Sequence, residues 1–248
     1  MKLYKLVGYL NEYLNVRDFE DISQNGLQVD SGNAEIKKVA IAVDATLDTF
    51  KRAKRANAQV IIVHHGLFWG KSLLITGAHR DKISFLLKND ISLYAVHLPL
   101  DAHIELGNNA QLAKLLDIEI TAPFGRGIGY QAKFAKAIDR DTLTKKVLKI
   151  VNASNHRLLP FGNKKIRKVA LMSGVGSSFI YEAVVKKVDM LITGEGNHVS
   201  HNIAKEEKIN VLYAGHYATE TLGVKAVAQH IEDKFSIPYH FIDIPTGF

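Results

Sequence analysis

The sequence predicts an α/β fold built as two related α/β halves with a metal site between them, and three observations lead there. Short apolar, β-branched runs alternate with amphipathic stretches, the pattern of parallel strands covered by helices. One strand–helix–strand pattern occurs twice without a gap, at residues 39–66 and again 130 positions later at 169–196. Histidines stand at the ends of several of the predicted strands, the edge where open α/β sheets gather ligands.

Taken in order, MKLYKLVGYLNEYLN puts Leu3, Leu6, Val7, Leu10 and Leu14 at helical spacing. It has no continuous apolar core or small-residue cleavage site, so it reads as an amphipathic helix rather than a secretion signal. NGLQV, residues 25–29, reads as a turn entering a strand, a purely structural feature. In the repeat, Val39-Ala40-Ile41 matches Val169-Ala170-Leu171, and Val60-Ile61-Ile62 matches Met190-Leu191-Ile192. Each copy is a βαβ unit whose strands are expected to be parallel. A second match follows, Tyr94-Ala95-Val96-His97 with Tyr213-Ala214-Gly215-His216, 119 positions apart, and in both a carboxylate comes four residues after the histidine, Asp101 and Glu220. His216 and Glu220 open a predicted helix with Leu222, Val227, Ile231 and Phe235 as its buried stripe, so both can face one ion. The turn-rich APFGRGIGY divides the chain into halves at residues 1–126 and 127–248, and the closing strand, residues 239–244, is free to return to the first half.

Composition narrows the chemistry. The chain has 248 residues, 47% of them hydrophobic and 23% charged, and no apolar run long enough to span a bilayer. Without cysteine there are no disulfides or thiolate metal sites, which leaves histidine and carboxylate as ligands and cytoplasm as the expected location. The net charge of +7 and pI near 9.3 raise a nucleotide or nucleic-acid ligand. The basic residues come as scattered pairs such as Lys37-Lys38 and Lys164-Lys165, which read as solvated surface.

VIIVHHG then poses a geometric problem. Neighbouring side chains on a strand point to opposite faces, so His64 and His65 cannot both serve one site from an extended chain. The expected resolution is a strand that ends at His64, with the permissive backbone of Gly66 turning both imidazoles out of the sheet edge, one towards each metal. His64, His65, Asp101, His216 and Glu220 make a sulfur-free ligand set suited to Zn, Fe, Mn or Ni, and two carboxylates exceed the need of one zinc. A bridging glutamate would suit a pair of divalent metal cations. Pro99 disfavours helix at Leu98, so a turn is expected to bring Asp101 in, with His97 as support behind the ligands. His198 and His201 have a weaker claim on the pocket, and GVGSSF is an incomplete phosphate-cradling turn.

Together NGLQV, AVDAT, VHHGLFW, HLPLD, SGVG, DMLITGEGNH and AGHYATE resemble the Nif-three-like family, also called GTP cyclohydrolase I type 2 homologs, in its short bacterial form. The resemblance implies a two-half α/β fold carrying two divalent metals on His64, His65, Asp101, His216 and Glu220, with Glu220 as the bridge. It also implies a ring-shaped homohexamer with the sites facing a central cavity. One departure is visible: Leu98-Pro99 stands where the family usually has Thr-Asn, which puts a polar contact from that loop in question.

The expectation is therefore a dinuclear-metal hydrolase that attacks an electrophilic carbon or phosphorus. If the cyclohydrolase name holds, the target is C8 of the GTP imidazole ring, with His97 orienting or relaying a proton. The rivals are a non-catalytic metal-binding ring scaffold that engages nucleic acid or a protein partner, and a metal-dependent phosphohydrolase acting on nucleic acids.

Overall fold

The computed structural model describes residues 1–33 and 35–248. Its contacts divide the chain into two compact units, Met1–Leu100 with Val224–Ile244, and Asp101–Gly223 with Pro245–Phe248.

The first unit holds strands β1 (Gly26–Val29), β2 (Val39–Asp44), β3 (Val60–His65) and β4 (Ser92–Ala95), with helices α1 (Leu3–Tyr13), α2 (Leu47–Arg55) and α3 (Gly77–Lys88). Its sheet runs β1-β4-β3-β2-β11, where β11 is the closing strand Tyr239–Phe241. β4, β3, β2 and β11 are mutually parallel, and β1 caps one edge antiparallel. The strands are apolar on both faces because helices cover both. On one face Ala40, Ala42, Ile61, Val63, Leu93 and Ala95 pack under Phe50 and Ala53 of α2 and Leu86 of α3. The amphipathic α1 buries Leu3, Leu6, Val7 and Leu10, as its spacing requires. The closing strand does return to the first half, Tyr239 pairing with Val39.

In the second unit are α5 (Asn108–Leu116), β5 (Glu119–Phe124), β6 (Gly129–Asp139), α6 (Arg140–Val151), β7 (Arg157–Pro160) and β8 (Lys165–Met172). α7 (Ile180–Val185), β9 (Met190–Thr193), α8 (His198–Glu206) and β10 (Asn210–Tyr213) follow. Its sheet runs β5-β6-β8-β9-β10-β7. One face packs on Leu112, Leu116, Leu143 and Val147 of α5 and α6, and the other on Ile180, Ala183 and Ala204 of α7 and α8. The chain passes between units within the short α4 (Leu98–Ala102), within the long α9 (His216–Phe235), and again between Ile244 and Pro245.

The expected cut at 126/127 differs from this division. APFGRGIGY is the hairpin joining β5 to β6, with Phe124 opposite Gly129, so its turn residues serve one sheet rather than a linker. The repeat itself extends further than the sequence match. β2-β3-β4 and β8-β9-β10 have the same order and are parallel, and Val39↔Val60 recurs as Val169↔Met190. An antiparallel strand closes the far side of each, β1 on β4 and β7 on β10. The second match is displaced, however. Ser92 pairs with Val60 and Asn210 with Met190, a shift of 118, and the amides of Val96 and Ala214 bond Val63 and Thr193 in the same register. By strand register His97 thus corresponds to Gly215, and His216 lies one residue further on. Residue similarity aligned the histidines; hydrogen-bond pairing does not.

Among the described residues no helix is long and apolar enough to cross a membrane.

Candidate metal centre

In the first unit the histidines sit at the carboxyl ends of β3 and β4. β3 continues through His65, which pairs with Asp44, so the strand does not end at His64 as expected. Gly66 has no positive φ; its role is spatial, since a Cβ there would stand 2.3 Å from Gln28 Oε1 and 2.6 Å from Ala95 Cβ. Although alternation sends His64 and His65 to opposite faces, at the strand end their ring centroids are 4.8 Å apart. The His97 ring centroid lies 5.1 Å from that of His64 and 5.6 Å from that of His65.

Each of these imidazoles is held at Nδ1. His64, fully buried, donates to the Val96 carbonyl at 3.0 Å, His65 to Asp44 Oδ1 at 2.8 Å, and His97 to Asp21 Oδ1 at 3.0 Å. A carbonyl or carboxylate only accepts, so the proton resides on Nδ1 and Nε2 presents a lone pair, the tautomer a cation needs. One ligand nitrogen from each ring falls within 4.8 Å of the others, a group that could hold a metal ion.

Asp21, Asp44 and Asn25 were not singled out by the sequence. Asp44 was findable, because it ends β2 at the same sheet edge. Asp21 was not: it comes from an irregular loop 76 positions from His97. Burial opposes its charge, but hydrogen bonds from His97, Asn25 and the Ser23 amide outweigh that and hold its carboxyl well below the usual range. NGLQV is more than a turn, since Asn25 Oδ1 accepts from the His97 amide at 2.7 Å and Gln28 Oε1 from the Leu67 amide at 2.6 Å. Leu98 begins a helix despite Pro99, because proline in a first turn has no intrahelical N–H to lose. The Leu98 amide donates to Asp21 Oδ2 at 3.0 Å, a backbone contact indifferent to the Leu98-Pro99 departure.

In the second unit the acids collect at the ends of β8, β9 and β10. Asp101 is 4% exposed and Glu220 2%, and a carboxylate oxygen of each lies within 4.8 Å of the other. Ser173 Oγ and Asn108 Nδ2 both donate to Asp101 Oδ1, at 2.6 and 2.8 Å. His216 Nε2 lies 3.1 Å from Glu220 Oε1, one turn along α9, and its Nδ1 lies 3.3 Å from Glu195. Burial alone would lower the His216 pKa, but Glu220 and then Glu195 win and raise it to about 9. Two buried carboxylates this close require compensating positive charge, and a proton on His216 meets part of that need. A divalent cation taken up by Nε2 and the carboxylates would meet more of it.

The glycines of SGVG shape this site rather than cradle phosphate. A Cβ on Gly174, at φ +59°, would stand 2.3 Å from Glu220 Oε1 and 3.3 Å from His216 Nε2. The Gly174 and Gly176 amides donate to Thr219 and Thr193, so GVGSSF spends those donors inside the protein. His201 packs edge-on against Phe161, and His198 is exposed at the start of α8. Glu195 and Ser173 carry no sequence signal beyond their places just after strand ends.

Thus each unit presents at its strand ends a donor set of imidazole and carboxylate without sulfur, the chemistry of a borderline divalent cation. A profile described as Duf34/NIF3 (NGG1p interacting factor 3) matches residues 1–246. A GTP cyclohydrolase 1 type 2 homolog of Archaeoglobus fulgidus is 41% identical, with 100% of both chains covered. A protein of that name from Pyrococcus horikoshii is 42% identical over 98% of each. Among solved structures, a Thermus thermophilus protein is 38% identical with a TM-score of 0.94, covering 100% of both chains. HcgD of Methanocaldococcus jannaschii, in its reduced form, is 26% identical with a TM-score of 0.87 over 98% of each. With a profile match along nearly its whole length and relatives above 40% identity, the chain belongs to the Duf34/NIF3 family.

Proposed function

We propose that the protein is a dinuclear-metal hydrolase whose two cations are held by His64, His65, Asp101, His216 and Glu220, with Glu220 as the bridge. The observation that carries this is the orientation of the donors. In each unit strand-end imidazoles are anchored at Nδ1, and in the second unit two buried carboxylates converge beside one of them. When bound, a pair of divalent cations supplies Lewis acidity and makes water a nucleophile near neutral pH. The chain's own residues do the rest. Val96 and Asp44 fix the tautomers of His64 and His65, while Ser173 and Asn108 hold Asp101 to one orientation. Trp69, edge-on to His97 with centroids 5.0 Å apart, supplies an apolar wall beside the first set.

The names of the relatives favour a purine nucleotide such as GTP as the first substrate to test. We propose in addition a ring-shaped homohexamer, for which exposed Leu73, Leu74 and Ile75 offer apolar surface for contact between copies. A second reading, a metal-binding scaffold that engages nucleic acid, is favoured by the net charge of +7. Metal analysis of protein purified without chelator, followed by a hydrolysis screen with the metal found, separates them. Turnover that disappears on chelation and returns on reloading supports the enzyme; salt-sensitive nucleic-acid binding with no turnover supports the scaffold.

A further inference from the structure

We propose that Trp69 is the stacking residue for the base of a purine nucleotide at the strand ends of the first unit, and that Lys82 takes an oxygen of its phosphate chain. This rests on the hydrolase reading only for the nucleotide class of the ligand.

Trp69 is the one tryptophan of the chain and lies four residues beyond β3, at the edge where α/β sheets gather ligands. Its neighbours Leu67 and Phe68 join the core with Phe50 and Leu86. Trp69 is instead half-buried beside the histidines, its ring centroid 5.8 Å from that of His65 and 5.0 Å from that of His97.

The indole is held in place by its own backbone. Trp69 forms a β-bridge with Ser23, the Gln24 amide donates to the Phe68 carbonyl at 3.0 Å, and the Gly70 amide to the Ile22 carbonyl at 2.5 Å. Trp69 Nε1–H donates to the Gly66 carbonyl at 2.9 Å. With its single polar group occupied inside the protein, what Trp69 offers a ligand is its π surface. A rigid, partly open indole loses little freedom on contact and stacks on the face of any base, with the largest overlap on a bicyclic purine. It has no donor left to read a base edge. By itself it therefore separates purine from pyrimidine, not guanine from adenine.

Lys82 supplies the second observation. It is half-buried on α3, and its Nζ donates to the Ala45 carbonyl at 3.5 Å, a long bond to an uncharged acceptor. Among the described residues no carboxylate pairs with it. The Ala45 amide donates to the His65 carbonyl at 2.9 Å, so the ammonium stands at the same sheet edge as the histidines. A half-buried ammonium without a counter-ion favours an anion, and the phosphate chain is the anion that a nucleotide brings.

The test uses the full chain loaded with Zn2+. Fluorescence excited at the red edge of indole absorption reports Trp69 alone. GTP and ATP are expected to quench it saturably and to a similar degree, UTP more weakly, and inorganic triphosphate hardly at all. Calorimetry then compares variants, with circular dichroism as the folding control. Trp69→Ala is expected to weaken GTP about 5- to 100-fold and to erase its advantage over UTP, while Trp69→Phe keeps most of the affinity. Lys82→Gln should weaken GTP and triphosphate alike and preserve the purine preference; equal affinities would strike out the phosphate contact. GTP bound without quenching, unchanged affinity in a folded Trp69→Ala, or no nucleotide bound overturns the proposal. Should Trp69→Ala not fold, wild-type quenching and the purine preference decide. Quenching and purine preference without turnover would reject the hydrolase reading and leave this site standing. Turnover of another substrate with no nucleotide bound would do the reverse.

Discussion

Glu220 and Gly174 are close neighbours, a Cβ on Gly174 falling 2.3 Å from Glu220 Oε1, and changing either should be felt by any cation held there. Glu220→Gln is expected to lower metal per chain while leaving the fold intact. A neutral amide cannot offset cationic charge, whereas glutamine in the first turns of α9 remains a good helix former. Mass spectrometry for metal and circular dichroism for folding check it; equal metal in both proteins would remove Glu220 from the site. Gly174→Ala attacks the same space from the backbone. Its φ of +59° costs an alanine about 1–2 kcal/mol, and the new Cβ would press on Glu220 Oε1. Both lower stability in urea and weaker cation binding are expected, and normal binding would show that Glu220 can move aside.

Among the elements, α6 shows how a strand hands over to a helix. Asp139 ends β6 and caps α6, its carboxylate accepting from the amides of Asp141 and Thr142. Those bonds, the Thr142 amide first, hold its pKa below the ordinary value of 3.8. A folded pKa below the unfolded one stabilises above the unfolded value and is lost as pH falls through the folded one. Asp139→Ala should therefore lower the melting temperature at pH 7, and the difference should shrink in acid. Asp139→Asn, still a good cap, should keep most of the stability at pH 7 and flatten the acid limb. Thermal melts of the three proteins between pH 2 and 7 give the comparison; parallel curves would remove the cap from the account.

For the whole molecule, cations that bind the folded chain and not the unfolded one stabilise by mass action, about 2.7 kcal/mol at a hundredfold excess over Kd. Chelation is expected to lower the melting temperature and reloading to restore it, followed by calorimetry with and without Zn2+. An unchanged melting temperature in protein shown to have lost metal would mean that the donor sets do not need the ion for stability. Light scattering on eluting protein tests the homohexamer, and a monomer would end that part of the proposal.

Period, repeat and position were legible along the chain. Apolar runs gave away the strands, the 130-residue offset anticipated the shared register of β2-β3 and β8-β9, and strand-end placement singled out His64, His65 and His216. These features are local or self-similar, and the physics that creates them acts over a few residues. Tertiary structure decided what depends on long-range pairing. Only the hydrogen-bond ladder shows that His97 corresponds to Gly215, that APFGRGIGY is a hairpin, and that β11 joins β2 across 200 positions, from Val39 to Tyr239. The carboxylates behind the imidazoles belong to the same class. Asp21 reaches His97 from a loop with no periodic signal, and Glu195 reaches His216 across two strand ends, because backbone pairing, not sequence spacing, sets which side chains meet.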